Sequence, residues 1–209
     1  HLYVATFVGQ AAVAVMSGFI LSGVRLPKLK ASPSAVNRTL IEIAKQPRFI
    51  SAVICGATSY MIMNFFMTAA PLAMHMHGHS HESANLGIQW HVIAMYAPSF
   101  VTGKLISRFG ATCIAAIGII LTGISALIGL LGNDVHHFYA LLILTGVGWN
   151  FGFLGASALV LECHHPEEKD QVQSLNDFII FGLMVVGSFS SGGVLSAYGW
   201  EIVLWLSLI

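Results

Sequence analysis

Six long apolar runs, each about as long as a membrane-crossing helix, limit what this chain can fold into. They cover residues 2–24, 49–74, 86–106, 111–132, 138–161 and 178–197, and a seventh begins near residue 201. A helix needs about 20 apolar residues to cross the hydrocarbon core of a bilayer. Runs without alternation favour helices over barrel strands, because a backbone in lipid must satisfy its own hydrogen bonds. The sequence therefore predicts an all-α membrane protein: a polytopic helical bundle with about seven spans, the last one truncated.

The basic residues predict how this bundle is oriented. All nine Lys and Arg residues fall in connections on one side, whereas the connections near 75–87, 133–137 and 198–200 contain none. Basic loops remain in the cytoplasm. We therefore expect an integral protein of a bacterial cytoplasmic membrane, with the His-rich connection outside. Zero net charge and basic residues confined to short loops favour the lipid bilayer as partner and argue against nucleic acid.

One hydrophilic connection divides the chain. Residues 25–48 hold six of the nine basic residues and three prolines, and they separate one span from the six that follow. This pattern predicts a first span at 1–24, a cytoplasmic linker at 25–48 and a six-helix bundle at 49–209 with an incomplete final helix. The chain is then expected to be a fragment of a longer protein.

Small residues and a proline predict how the spans pack. Gly148 with Gly152, and Gly187 with Ser191, lie one helical turn apart, a spacing that lets membrane helices approach closely. Such faces serve packing, and they also suit helices that slide during transport. Pro98 predicts a kink in the third span, because proline removes a backbone donor.

A tight basic turn between the third and fourth spans narrows the class. It reads GKLISRFG, in which Gly103 favours close packing of the helix end, Arg108 suits a helix C-terminus or a lipid phosphate, and Gly110 allows a positive φ. The turn resembles the G-x-x-x-D-R-x-G-R loop signature of the major facilitator superfamily. It matches at these three residues and departs at Ser107 and Ala111, where the family often has an acidic and a basic residue.

The resemblance implies a particular arrangement of the whole chain. Residues 1–24 would be the last helix of the first transporter half, 25–48 the central loop, and 49–209 the second half. The first half of the same protein would be the partner, with the substrate path at the midplane between the halves. Gly103, Arg108 and Gly110 would form a cytoplasmic gating turn.

Polar side chains within the spans are the candidates for substrate contact. Tyr60 and Asn64 lie on one stripe of the second span, and Asn64 either bonds a neighbouring helix or lines the cavity, because an unsatisfied amide in lipid is costly. Gln89 and Tyr96 share a face of the third span, and Asn150 lies in the glycine-rich fifth span. The resemblance implies that the second, third, fifth and sixth spans line the substrate path. The predicted substrate-binding residues are therefore Tyr60, Asn64, Gln89, Tyr96 and Asn150.

Proton coupling has few candidates in this sequence. No Asp, Glu, Lys or Arg lies deep within an apolar run, and Asp177 and Glu201 fall at the ends of runs. His91 lies about one turn inside the third span, and an imidazole titrates near neutral pH. His91 is therefore the predicted proton-coupling residue, with a structural hydrogen bond as the alternative.

The outer connection contains alternating histidines, His75, His77, His79 and His81. In an extended chain residues two apart face the same way, so two or three imidazoles could bind Zn, Cu or Ni. The alternative is a solvated loop that binds no metal. The sequence indicates no cofactor and no firm metal site.

Together these features predict a transporter and not an enzyme. The chain contains neither HExxH nor GxSxG. We expect it to move a small organic solute by alternating access, either coupled to protons or facilitative. The alternative function is a divalent metal transporter, or a metal-sensing membrane protein, that uses the His-rich loop.

Overall fold

The computed structural model describes residues 4–24 and 38–208. Every regular element in these ranges is helical, which confirms the all-α prediction for them. The elements are α1 Val4–Gly23, α2 Leu40–Ala44, α3 Pro47–Met76, α4 His81–Tyr96, α5 Ser99–Phe109, α6 Ala111–Leu131, α7 Val135–Leu161, the 3-10 turn Pro166–Glu168, α8 Lys169–Tyr198 and α9 Trp200–Leu206. Helices α3, α6, α7 and α8 are long and apolar enough to cross a membrane.

The chain divides into two compact units. The first contains α1, a 20-residue apolar helix. The second contains α2 to α9 and forms a bundle. The predicted division of the chain at 25–48 concerns residues that lie mostly outside the described ranges, and it stays a prediction.

The predicted third span is two helices. Helix α4 ends at Tyr96 and α5 begins at Ser99, with Pro98 as the N-cap residue between them. Proline has no backbone N–H, so the hydrogen-bond ladder is interrupted here. By contrast, Pro71 lies inside α3 and the helix continues through it. The kink expected at Pro98 is therefore present, as a break.

Helix α7 is the centre of the bundle, and glycines let it approach α6 closely. A Cβ placed on Gly118 of α6 would lie 2.6 Å from the Gly148 carbonyl oxygen and would also collide with the Gly152 backbone. Beside this seam the Ser125 hydroxyl lies 2.7 Å from that of Thr145 in the buried interior. The close packing expected from the Gly148 and Gly152 spacing is therefore observed between α6 and α7.

Two apolar clusters lie at opposite ends of the bundle. Toward the His-rich end, Phe66, Phe138 and Trp200 pack together with neighbouring aliphatic side chains. At the other end, Ile43 and Phe49 belong to a second cluster with residues from α7 and α8. A third cluster contains Met63, Met95 and Trp149, with Tyr60 and Phe153 packed against it.

Arg38 ties the segment before α2 to the turn before α8. Its guanidinium donates to both carboxylate oxygens of Glu168, at 3.0 and 2.5 Å, and the His165 backbone N–H donates to the same carboxylate at 3.0 Å. The bond from Arg38, followed by that from His165, lowers the pKa of Glu168 to about 2. A second ion pair joins Arg48 to Glu162 at 2.7 Å.

Candidate substrate site

Five aromatic rings from four helices meet at mid-height of the bundle, and we call them the aromatic cluster. Tyr60 of α3 lies edge-on to both rings of α7, with centroid distances of 5.6 Å to Trp149 and 5.3 Å to Phe153. Tyr60 also lies edge-on to Phe181 of α8 at 5.5 Å. Tyr96 of α4 lies edge-on to Trp149 at 6.1 Å. The cluster therefore connects α3, α4, α7 and α8.

The aromatic cluster has a buried side, formed by Trp149, and an exposed rim, formed by Tyr96 and Phe181. Trp149 and Phe153, one turn apart on α7, stack at 5.4 Å with 8° between their planes. Met63 and Met95 pack beside Trp149, which is only 8% exposed. In contrast, Tyr96 is 59% exposed and Phe181 43% exposed. The bundle thus presents a concentrated aromatic surface whose rim is accessible.

Two hydrogen-bond donors at or beside the cluster are buried without a partner among the described residues. They are the indole Nε1 of Trp149 and the amide Nδ2 of Asn64, which lies one turn beyond Tyr60 on α3. Buried donors are nearly always paired, and leaving one unpaired costs about 1–3 kcal/mol. The bond from Asn64 Nδ2 to a neighbouring helix, one of the two expectations, is not observed in this part of the chain. Both donors suit an acceptor supplied by a ligand.

Asn150 has a different environment from the one expected. It is 1% exposed, and its Nδ2 donates to the Met95 carbonyl oxygen and to Ser99 Oγ, each at 2.7 Å. Thr102 Oγ1 donates to its Oδ1 at 2.6 Å. Asn150 therefore fastens α7 to the break between α4 and α5. Both of its N–H donors are used by the protein, and the side chain is buried away from a solute.

Gln89 and His91 lie on α4 away from the rings. Gln89 is exposed two turns before Tyr96. His91 is fully buried, and its Nδ1 lies 2.7 Å from the Leu142 carbonyl oxygen, which requires a proton on Nδ1. Its Nε2 is buried without a partner among the described residues. This geometry fits the structural alternative, a fixed hydrogen bond between α4 and α7.

The predicted gating turn joins α5 to α6. Gly110 adopts φ 86°, a left-handed conformation that favours glycine, as expected. Arg108 is exposed with its guanidinium 5.2 Å from the centre of the Phe109 ring. The close packing expected at Gly103 is not observed among the described residues, because a Cβ there would meet nothing within 4 Å.

The His-rich connection is a helix–turn–helix, and the expectation of an extended chain is wrong. His75 lies in α3, Gly78 turns the chain with φ 82°, and α4 begins at His81 after the N-cap Ser80. The rings of His75 and His81 lie 4.1 Å apart, while His79 Nε2 bonds the Asn133 carbonyl at 2.7 Å.

Side chains therefore do not alternate between two faces here, and of the four imidazoles only those of His75 and His81 come together. Among the described residues no group of three His, Cys, Asp or Glu side chains is placed to hold a metal ion. The proposed metal ligands His75, His77, His79 and His81 receive no support from this arrangement.

Four apolar helices of membrane-crossing length, with rings of α3, α4, α7 and α8 in one cluster, define an integral membrane protein. Residues 49–209 match the profile of the Major Facilitator Superfamily, and the chain belongs to that family. The resemblance drawn from the basic turn is thereby confirmed.

Three relatives share this sequence to different degrees. The riboflavin transporter RfnT of Brucella anthropi is 49% identical over 208 residues, which are 98% of this chain and 52% of that protein. The uncharacterized MFS-type transporter YddS of Bacillus subtilis is 35% identical over 74% of this chain and 34% of its own length. The 4-hydroxybenzoate transporter PcaK of Pseudomonas aeruginosa is 28% identical over 55% of this chain and 26% of its own length. The chain spans about half the length, or less, of these relatives.

Proposed function

We propose that this chain is part of a transporter that moves riboflavin, or a planar aromatic solute like it, by alternating access. The observation that carries the proposal is the aromatic cluster, to which four helices contribute rings. The 49% identity to a riboflavin transporter gives the substrate class independent support.

The chemistry of the cluster matches a flavin ring system. Isoalloxazine is planar and aromatic, and each favourable ring pair contributes about 0.5–1.5 kcal/mol beyond the area that it buries. Its carbonyl oxygens and ring nitrogens accept hydrogen bonds. The unpartnered donors on Trp149 and Asn64 can serve those acceptors. None of the five residues of the aromatic cluster has a cationic side chain that could pair with a carboxylate. The cluster therefore suits a neutral solute better than an aromatic acid.

The proposed site keeps some predicted residues and sets others aside. Tyr60, Asn64 and Tyr96 remain, and Trp149 joins them. Asn150 is set aside because its amide is used by the protein, and Gln89 because it lies about two helical turns, or about 10 Å, from Tyr96 along α4. These assignments specify which side chains a solute would touch.

The rest of the proposal concerns the whole transporter. Residues 49–209 would form the second half, 25–48 the cytoplasmic loop and 1–24 the last helix of the first half. The His-rich turn would face outward from a bacterial cytoplasmic membrane, following the positive-inside rule. A first half of the same protein would face the aromatic cluster and close the path from the opposite side.

Riboflavin binding to the purified full-length protein tests the substrate directly. Flavin fluorescence is quenched when the ring stacks on tryptophan or tyrosine, so a titration reports occupancy of the cluster. We expect saturable quenching, and an affinity about tenfold lower in Trp149→Leu, since an anchoring ring and a donor are lost together. Trp90→Leu is the matched control, because Trp90 is exposed on α4 and makes no ring contact with the cluster.

Two outcomes would count against the proposed site. Equal loss of affinity in both tryptophan variants would place the flavin elsewhere. Absence of any saturable quenching in the wild-type protein would refute riboflavin as the solute.

A further inference from the structure

Helix α5 is attached to the bundle more loosely than α4, although the two helices follow each other directly. Five residues of α4 are buried, and α7 approaches α4 so closely that a Cβ placed on Gly146 would lie 2.7 Å from the His91 carbonyl oxygen. Among the described residues of α5, Thr102 is the one fully buried side chain, while Ile106 is half-buried and Phe100 is 89% exposed. Helix α5 therefore has a weaker hold on the bundle than α4.

The junction between α4 and α5 has the properties of a hinge. Pro98 has no backbone N–H, so the ladder of helical hydrogen bonds is interrupted there. Both residues of the junction nevertheless have helical dihedral angles, with φ −58° and ψ −41° at Ala97 and φ −63° and ψ −21° at Pro98. Small changes in these angles bend α5 relative to α4 without a strained conformation, and sharp helix kinks occur at proline. At its other end this 11-residue helix is followed by Gly110 with φ 86°.

Asn150 of α7 bridges this hinge. Its Nδ2 donates at 2.7 Å to the Met95 carbonyl oxygen, in the last turn of α4, and to Ser99 Oγ, at the start of α5. Its Oδ1 accepts from Thr102 Oγ1 at 2.6 Å, about one turn further along α5. The bonds to Met95 and Ser99 lie at the hinge and are compatible with bending, whereas the bond to Thr102 is lost if α5 moves away from α7. We call the bond between Thr102 and Asn150 the latch.

The Thr102 hydroxyl has a second acceptor for its single proton. Its Oγ1 also lies 2.8 Å from the Pro98 carbonyl oxygen, one turn earlier in the chain. Because a hydroxyl donates one hydrogen bond, the proton can go either to Asn150 across the helix interface or to Pro98 beside its own helix. When α5 moves away from α7, the hydroxyl keeps a partner and is not left as an unpaired buried donor. The latch can therefore open and close between two hydrogen-bonded arrangements.

The hinge lies directly beside the aromatic cluster. Tyr96, whose ring centre is 6.1 Å from that of Trp149, is the last residue of α4. Trp149 directly precedes Asn150 in α7, and Met95 packs beside Trp149. Beyond the hinge, α5 leads to the basic turn at Gly110, which the proposed topology places in the cytoplasm. A solute on the aromatic cluster would therefore touch residues that adjoin the hinge and the latch.

We propose that α5 is a movable arm of the bundle, hinged at Ala97 and Pro98 and latched to α7 through Thr102 and Asn150. Release of the latch lets α5 swing away from α7 and opens the way from the aromatic cluster toward the basic turn. At 1.5 Å per residue, Ser107 lies about 14 Å beyond the hinge, so a bend of about 20° moves it by about 5 Å. The opening role of the arm rests on the proposed solute transport, whereas the latched hinge can be tested without solute.

Distances between spin labels in the full-length protein measure the position of the arm. Labels at Ser107→Cys on α5 and Leu161→Cys at the end of α7 follow the arm, and both positions are exposed. A second pair, Gln89→Cys on α4 with Leu161→Cys, reports on the firmly packed part of the bundle and is the control. The native cysteines of this chain are first replaced by alanine; they are Cys55, Cys113 and Cys163.

The variants at Thr102 separate the hydroxyl from the shape of the side chain. For Thr102→Val, which keeps the shape and lacks the hydroxyl, we expect a new population whose Ser107–Leu161 distance is about 5 Å longer, with an unchanged control distance. Thr102→Ser keeps the hydroxyl and should retain the wild-type distribution. Thr122→Val is the matched control, because Thr122 is buried and its hydroxyl donates to the Gly118 carbonyl oxygen of its own helix at 3.0 Å. Saturating riboflavin should shift the wild-type protein toward the longer distance.

Several results would overturn the inference. An unchanged Ser107–Leu161 distance in Thr102→Val would refute the latch, and the same lengthening in Thr102→Ser or Thr122→Val would show that the Thr102 hydroxyl is not its cause. Lengthening of both label pairs would mean that the bundle loosens as a whole and does not bend at the hinge. Wild-type protein that quenches flavin fluorescence and keeps the short distance would refute opening by the arm. Absence of quenching would instead refute the proposed solute, while a longer distance in Thr102→Val would still support the latched hinge.

Discussion

Replacing Asn150 by alanine removes three hydrogen bonds that fasten α7 to the break between α4 and α5. The bonds join Asn150 to Met95, Ser99 and Thr102 at 2.6–2.7 Å. Hydrogen bonds between membrane helices contribute about 0.6 kcal/mol on average and up to about 2 kcal/mol. The Ser99 and Thr102 hydroxyls can turn to other acceptors, and Thr102 already has the Pro98 carbonyl at 2.8 Å. Three bonds of this kind give a loss of about 2–4 kcal/mol in the free energy of unfolding.

Asn64→Ala is the matched comparison. Its Nδ2 has no partner among the described residues, so its removal costs little stability and removes a donor from the proposed site. We therefore expect opposite results for the two variants. Asn150→Ala should lower the midpoint of unfolding in detergent by several degrees and bind riboflavin normally once folded. Asn64→Ala should keep the wild-type midpoint and bind riboflavin several-fold more weakly. Thermal unfolding and flavin quenching on the same preparations measure both quantities. An Asn150→Ala protein with unchanged stability and weaker riboflavin binding would refute the structural role given to this amide.

Two further predictions concern packing and pH. Gly118→Ala should destabilise the bundle severely, because the new methyl group collides with the α7 backbone. Gly123→Ala should be neutral, because the space around Gly123 is open. Membrane expression and the unfolding midpoints of both variants check this. The lowered pKa of Glu168 means that its pairing with Arg38 stabilises the fold above about pH 4.5 and that this contribution is lost as pH falls toward 2. The difference in free energy of unfolding between wild type and Glu168→Gln should therefore be constant near neutral pH and shrink below about pH 4.5. Glu167→Gln is the control, because Glu167 is exposed. A difference independent of pH would contradict the pairing.

Run length predicted the fold class, and the basic turn predicted the family together with the one-sided basic residues and the long basic connection before six spans. Both depend on local properties, since the hydrocarbon core requires a certain length and a left-handed φ favours glycine at Gly110. The break between α4 and α5 was foreseeable from Pro98, although Pro71 does not interrupt α3. The same residue type thus has two outcomes, one inside a helix and one between two helices.

The site was only partly predictable, because it is formed by contacts between helices. A polar side chain within an apolar run was the reason to predict Tyr60 and Tyr96 as substrate-binding residues, and both belong to the aromatic cluster. The same reason applied to Asn150, whose amide instead donates hydrogen bonds to other parts of the protein. Trp149 was not among the predicted substrate-binding residues, since nothing in its own helix shows that rings of α3 and α4 lie against it.

The start of helix α8 was not predictable from the apolar run alone. The uninterrupted apolar run starts at Phe178, which places Asp177 at its end. Helix α8 begins at Lys169, so Asp177 lies more than two turns inside the helix. Run boundaries follow hydrophobicity, whereas polar residues can continue the same helix beyond the run.

Riboflavin flux by the full-length protein in proteoliposomes is the most direct test of the central claim. We expect saturable uptake of labelled riboflavin, competed by excess unlabelled riboflavin and strongly reduced in Trp149→Leu. Flux no greater than in protein-free vesicles, from protein that is folded and inserted, would contradict it.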